Sequence, residues 1–165
     1  MTEFSFREGE YVVYCSRGVG LVSSIDVQNI GGTDVKIMSI SFPKDKMVVK
    51  VPLTQSNLKK LRKLCSKKEA QEILESLKVP LKVKKIMWSR RAQEYELKIN
   101  SGDLNSLAEV VRELHRTATQ PEHSYSERQI YQEALGRLLR EYALVAELNE
   151  TQALEDVEKA LACAA

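Results

Sequence analysis

The hydrophobic period of this chain changes once, between Pro52 and Ser66, and that change limits what it can fold into. Before it, apolar residues come in short strand-like runs, and the clearest of them alternates at every second position, as on a strand with one buried face. After it they recur at spacings of three and four, as on helices that bury one stripe. The order predicts an α+β chain of two modules, β first and helical second. A length of 165 residues admits one ordinary domain or two small ones.

The β half is punctuated by glycine. Residues 10–15 read as a strand, Gly18-Val19-Gly20 as a turn, and residues 21–27 as a second strand. Gly31-Gly32 is the cleanest hairpin signal in the chain. Residues 35–42 alternate, residues 47–51 follow, and Pro52 is expected to stop the last strand. Four or five short strands within about 50 residues predict a small, strongly bent sheet or barrel.

The helical half opens on Ser66-Lys67-Lys68-Glu69, a capping-box pattern, with a helix expected to about Lys78 and broken at Pro80. A second helix runs from about Trp88 to Ile99, with Gly102 stopping it and Asp103 capping the next. That third helix presents Leu104, Leu107, Val110, Val111 and Leu114 on one face. Ser126-Glu127-Arg128-Gln129 reads as another capping box. It opens a long helix with Ile130, Ala134, Leu135, Leu138, Leu139, Tyr142 and Val145 on its buried side. A break at Asn149-Glu150 precedes a last helix over residues 151–162. The expected division is a β domain over 1–55, a connection over 56–65 and a helical domain over 66–165.

A net charge of +2 conceals an uneven distribution. Residues 44–91 carry 15 Lys/Arg against 4 Asp/Glu, whereas residues 141–165 carry 1 against 6. A basic centre between neutral and acidic ends is an electrostatic footprint for phosphate, or a set of solvated helix faces. No apolar run approaches the ~20 residues of a membrane span, and the start of the chain does not read as a signal peptide. Cys15, Cys65 and Cys163 are too far apart for a zinc site, and their number and spacing fit a reducing cytosol. His115, expected on a solvated helix face, and His123 have no partner at triad or ligand spacing, and no phosphate-binding glycine loop is present. No catalytic residue, metal or cofactor is expected.

Within the basic centre, Met87-Trp88-Ser89-Arg90-Arg91 contains the only tryptophan. A flat apolar side chain beside two guanidinium groups at a helix start suits insertion into a nucleic-acid groove. The other reading is a core tryptophan with a basic rim. Lys82, Lys84 and Lys85 either solvate the connection or face phosphate. Lys50 should point away from Val49 and Val51 on its strand.

These residues carry a family resemblance. Glu8-Gly9-Glu10-Tyr11-Val12-Val13-Tyr14, Gly18-Val19-Gly20 and Met47-Val48-Val49-Lys50-Val51-Pro52 resemble the RNA-polymerase-interacting domain of the CarD/CdnL family. Trp88-Ser89-Arg90-Arg91, Ser101-Gly102-Asp103 and Ala108-Glu109-Val110-Val111-Arg112-Glu113-Leu114 resemble its C-terminal domain. The resemblance covers roughly residues 6–147. It implies a bacterial transcription-initiation factor, cytoplasmic and nucleoid-associated, acting as a monomer. A small Tudor-like barrel would bind the β1 lobe, or protrusion, of the polymerase β subunit, with Gln28, Met47, Val49 and Lys50 as contacts. The helical domain would touch promoter DNA at the upstream edge of the bubble. Trp88 would then wedge into the minor groove, with Arg90, Arg91 and Lys85 against the backbone.

Two positions depart from the family pattern. Gln28 and Lys50 stand where arginine is frequent, which removes one charge and one planar fork. The terminal Leu161-Ala162-Cys163-Ala164-Ala165 resembles tails read by bacterial AAA+ proteases, or is simply a frayed helix end. Two other functional classes fit the residues less fully. One is an architectural nucleic-acid binder independent of polymerase, the other a protein–protein adaptor with Trp88 in its core.

Overall fold

The computed structural model describes residues 6–15, 17–42, 46–79, 87–115 and 124–163. The chain divides into two compact units, Met1–Leu64 and Cys65–Ala165.

The first unit is a five-stranded antiparallel sheet in the order β4-β3-β2-β1-β5. Its strands are β1 (Tyr11–Tyr14), β2 (Gly18–Ile30), β3 (Thr33–Phe42), β4 (Met47–Pro52) and β5 (Leu61–Lys63), with a one-turn helix α1 (Gln55–Leu58) before β5. Period-two alternation sends Met38, Ile40 and Phe42 to one face, where they pack with Val12, Val22, Val51 and Leu61. Ile30 pairs with Thr33 across Gly31 and Gly32, whose φ angles of 60° and 84° are those of a two-residue hairpin turn. A register shift between Val22 and Ser24 adds local twist to the long β2–β3 ribbon. The sheet is open, with β4 and β5 as its two edges, so the barrel expected from the resemblance is not closed by strand pairing.

Gly18-Val19-Gly20 is not the expected turn. The chain reverses between Tyr14 and Gly18, which pair, and Gly20 lies inside β2 opposite Val12. Gly20 serves packing: a Cβ there would collide with Ile40 Cγ2 and lie 2.8 Å from Phe42 Cε1. Pro52 is the last residue of β4 rather than a stop before it, and pairs with Ile37. The stretch expected as a plain connection supplies α1 and β5, which pairs with β1. Only Leu61 is apolar in Lys59-Lys60-Leu61-Arg62-Lys63, so no alternation marks this strand.

The second unit consists of α2 (Lys67–Leu77), α3 (Trp88–Asn100), α4 (Leu104–Leu114), α5 (Tyr125–Ala146) and α6 (Glu150–Cys163). Its aliphatic core draws on all five helices. Ser66 caps α2 by accepting from the Glu69 N–H, and Asp103 caps α4 by accepting from the Asn105 N–H, as their positions predict. Gly102 at φ 72° occupies the left-handed position between α3 and α4. All five α4 residues expected inside are buried. On α5, Ala134, Leu138 and Tyr142 are buried, while Ile130, Leu135, Leu139 and Val145 are half-buried against the same core.

Two helix ends differ from expectation. Helix α5 starts on Ser124, whose hydroxyl accepts from the Glu127 N–H, so Ser126 already lies inside the helix. Ser-x-x-Glu at Ser124 places a carboxylate near the positive end of the helix dipole, which Ser-x-x-Gln at Ser126 does not. The helix ends at Ala146 with Glu147 left-handed, and Asn149 caps α6 by accepting from the Gln152 N–H at 2.8 Å. Pro80, His123 and the Ala164-Ala165 tail lie outside the described residues.

Candidate nucleic-acid interface

Trp88 begins α3, and every third or fourth residue after it shares its face: Arg91, Tyr95 and Ile99. Tyr95 and Ile99 are buried, so this face turns into the helical core. Trp88 sits at its outer end, half-buried against that core. It is therefore neither the buried tryptophan of the adaptor reading nor a fully free side chain. Its ring centroid lies 6.2 Å from that of Tyr95, the rings tilted by 52°. Beside it Met87 is 77% exposed.

Met87 holds the N-cap position and makes no side-chain cap bond. The other described helices carry Ser, Thr, Asp or Asn there. A methionine gives up about 1 kcal/mol of capping and leaves an apolar side chain in water. Composition and periodicity single out Trp88 with Arg90 and Arg91 and give Met87 no role of its own. The absent cap in Met87-Trp88-Ser89 was the readable sign that Met87 belongs to the same surface.

The two arginines differ. Arg90 is exposed on the opposite side of the turn. Arg91 is half-buried, its guanidinium carbon 5.7 Å from the Trp88 ring centre and 5.5 Å from that of Tyr95. Its Nη2 and Nε donate to the Tyr95 hydroxyl at 2.7 and 3.2 Å. The Glu113 carboxylate on α4 also acts on that hydroxyl, opposing Arg91. Burial, and after it the Glu113 carboxylate working against Arg91, pushes the Tyr95 phenol up to about 12, so it stays a neutral hydroxyl.

Other cations near this surface have partners. Lys98 pairs with Glu109 at 3.0 Å, and Arg112 donates to the Val79 carbonyl at 2.7 and 3.0 Å. Lys85, Lys82 and Lys84 lie outside the described residues. His115 is not on a solvated face. It ends α4 half-buried, with Nδ1 3.4 Å from the Tyr131 hydroxyl, whose pKa burial raises to about 12.

In the first unit, β4 is an edge strand, and alternation divides its side chains. Met47, Val49 and Val51 pair with Phe42, Ile40 and Met38 and share their core face. Val48 and Lys50 pair with Ser41 and Ser39 on the other face, where Val48 is 59% exposed. Lys50 is outward as expected. Val49 is not available as an outward side chain, because it packs on the core, and Val48 takes its place. Gln28 is exposed on the far part of the β2–β3 hairpin, with Val27 and Ile30 also exposed nearby. Its pairing with Val35 puts it on the Lys50 face but about 13 Å away along the strands.

Cys15, Cys65 and Cys163 form no disulfide. Burial raises the Cys15 thiol pKa, so it stays protonated and poorly nucleophilic near neutral pH. Among the described residues no His/Cys/Asp/Glu cluster could hold a metal, and no helix is long and apolar enough to cross a membrane.

Among the described residues, the chain thus has a sheet with β4 as an edge strand, followed in sequence by a helical unit with an aromatic–basic group at the start of α3. Residues 72–158 match the family described as CarD, C-terminal domain, and residues 6–65 match the CarD-like/TRCF RID domain. The first match alone spans more than half of the chain, and the chain belongs to the CarD family. Its N-terminal domain is of the kind found in transcription factors that interact with the RNA polymerase β subunit.

Proposed function

We propose that this protein is a transcription-initiation factor that holds the polymerase β subunit through its N-terminal unit and stabilises the open promoter through Trp88. The observation that carries this reading is the placement of Trp88 and Met87: an apolar pair at the uncapped start of α3, only half withdrawn from water. The Tudor-like reading of the N-terminal unit belongs to the same proposal, with the bent five-stranded sheet in its favour.

The energetics suit the task. Separated strands reclose because stacking and pairing are lost while they are apart. An aromatic ring in the unstacked gap supplies ~1–3 kcal/mol per base. About 1.4 kcal/mol already shifts the open-to-closed ratio tenfold. Exposed Arg90 adds a phosphate contact without sequence preference, and that part weakens with salt. The β4 edge, with Val48 and Lys50 outward, suits strand addition to a partner sheet. Polymerase bound there raises the local concentration of the wedge, so little free DNA affinity is needed.

The test is to measure binding to promoter DNA alone and to the polymerase–promoter complex at one salt concentration. Affinity should be at least about tenfold higher on the complex, as a tether requires. Equal affinities would instead establish a nucleic-acid binder independent of polymerase.

A Met87→Ser variant separates stability from function. Serine at the N-cap should stabilise α3 by about 1 kcal/mol and raise the melting temperature of the helical unit. Open-complex lifetime should shorten all the same. A variant that melts higher and keeps the full lifetime would remove Met87 from the contact.

A further inference from the structure

Arg91 is the residue whose surroundings fit its expected role least. A guanidinium that contacts phosphate should be free to reach outward. Here it lies beside two neighbouring rings, within the ~6 Å at which a cation is attracted to an aromatic face, and its fork grips the Tyr95 hydroxyl. Tyr95 is itself 2% exposed and cannot touch DNA. Its hydroxyl accepts from Arg91, so the buried Tyr95 is joined to the Trp88 ring through the Arg91 guanidinium.

We propose that Tyr95 and Arg91 form a positioning relay that fixes the Trp88 indole in its half-exposed pose, and that Arg91 acts through Trp88 rather than on phosphate. The proposal rests on the wedge reading above. Its physical reason is pre-organisation. A single large ring at the end of a helix has two side-chain torsions to fix before it can stack, and ordering a side chain on binding costs about 0.5–1.5 kcal/mol. A ring already held beside a guanidinium that is itself fixed by a hydrogen bond is ordered in the free protein. Arginine suits the position because its broad guanidinium reaches the indole while its fork bonds the phenol, which a lysine ammonium cannot do together.

Two variants isolate the relay. Tyr95→Phe keeps the buried ring and removes only the hydroxyl. Arg91→Lys keeps the charge and removes the planar fork. The first readout is emission and acrylamide quenching of Trp88, the sole tryptophan, in the free full-length protein. The second is open-complex lifetime with polymerase, with Trp88→Ala alongside. Both variants should make Trp88 more quenchable and shorten the lifetime by about threefold, the worth of one cation–π contact. Thermal melting of both variants guards against a fold defect in either.

Unchanged quenching in both variants overturns the relay, whatever the lifetimes. Raised quenching with a wild-type lifetime, while Trp88→Ala shortens it, also overturns it, because the holding then serves nothing. An Arg91→Lys protein that matches wild type in both readouts makes Arg91 a simple charge against the backbone. If Trp88→Ala leaves the lifetime unchanged, the wedge reading fails by itself, and the quenching result alone decides the relay.

Discussion

A Gly20→Ala variant is expected to lower the melting temperature of the N-terminal unit while the helical unit keeps its own transition. Gly20 sits in the middle of the sheet opposite Val12, and the atom that alanine adds would meet Ile40 Cγ2 and the Phe42 ring. Ile40 is 0% and Phe42 1% exposed, so neither can swing into water to make room. Overpacking of this kind costs about 1–3 kcal/mol. The unit has about 60 residues, and at ~0.05–0.15 kcal/mol per residue its whole stability is only a few times larger. Gly20→Val should exceed that margin and abolish polymerase binding with the fold. The check is calorimetry of the full chain: the transition of the β unit should move down or vanish. An unshifted pair of transitions in Gly20→Ala would mean that the sheet relaxes freely at this point.

A comparable loss is expected in the helical unit from Glu141→Ala. Glu141 is 1% exposed on α5, and its carboxylate accepts the Cys65 N–H at 3.0 Å, where the chain enters this unit. Removing it deletes the bond to the Cys65 N–H and leaves a cavity among the helices. A hydrogen bond to a charged group contributes about 1.5–3 kcal/mol, and the cavity adds to the loss. Glu141→Gln retains an acceptor and should recover part of it. Urea unfolding followed by far-ultraviolet circular dichroism measures the difference. A loss below about 0.5 kcal/mol, the size of an ordinary surface change, would show that the bond carries no weight.

The helical unit was the more legible half. Ser66 and Asp103 are local capping signals, and the α4 stripe needs only its own spacing to be read. Ser124 and Ser126 both satisfy a capping pattern, and choosing between them depends on which carboxylate meets the helix start. The β half hid more because pairing partners decide its details. Gly20 looks like a turn glycine until Ile40 and Phe42 are known to lie across from it. Strand β5 exists because β1 offers it an edge, and its own lysines say nothing of it.

The site was legible in its centre, and its divisions lie in spacings that only the structure makes conspicuous. Trp88 could be picked out as the single tryptophan at a helix start. Arg91 shares the face that Trp88 and Tyr95 define two helical turns apart, while Arg90 does not, and which of them meets the rings shows once Tyr95 is known to be buried. The exchange of Val49 for Val48 as the outward side chain was available from alternation alone, since Val48 must share the side of Lys50.

The lifetime of the open promoter complex, measured with purified polymerase alone, with this protein, and with Trp88→Ala, tests the central claim most directly. The wild-type chain should lengthen the lifetime by roughly tenfold, and Trp88→Ala should lose most of that gain, in line with ~1–3 kcal/mol of base–aromatic stacking. A Trp88→Ala protein that still binds polymerase and lengthens the lifetime as well as wild type would contradict the wedge.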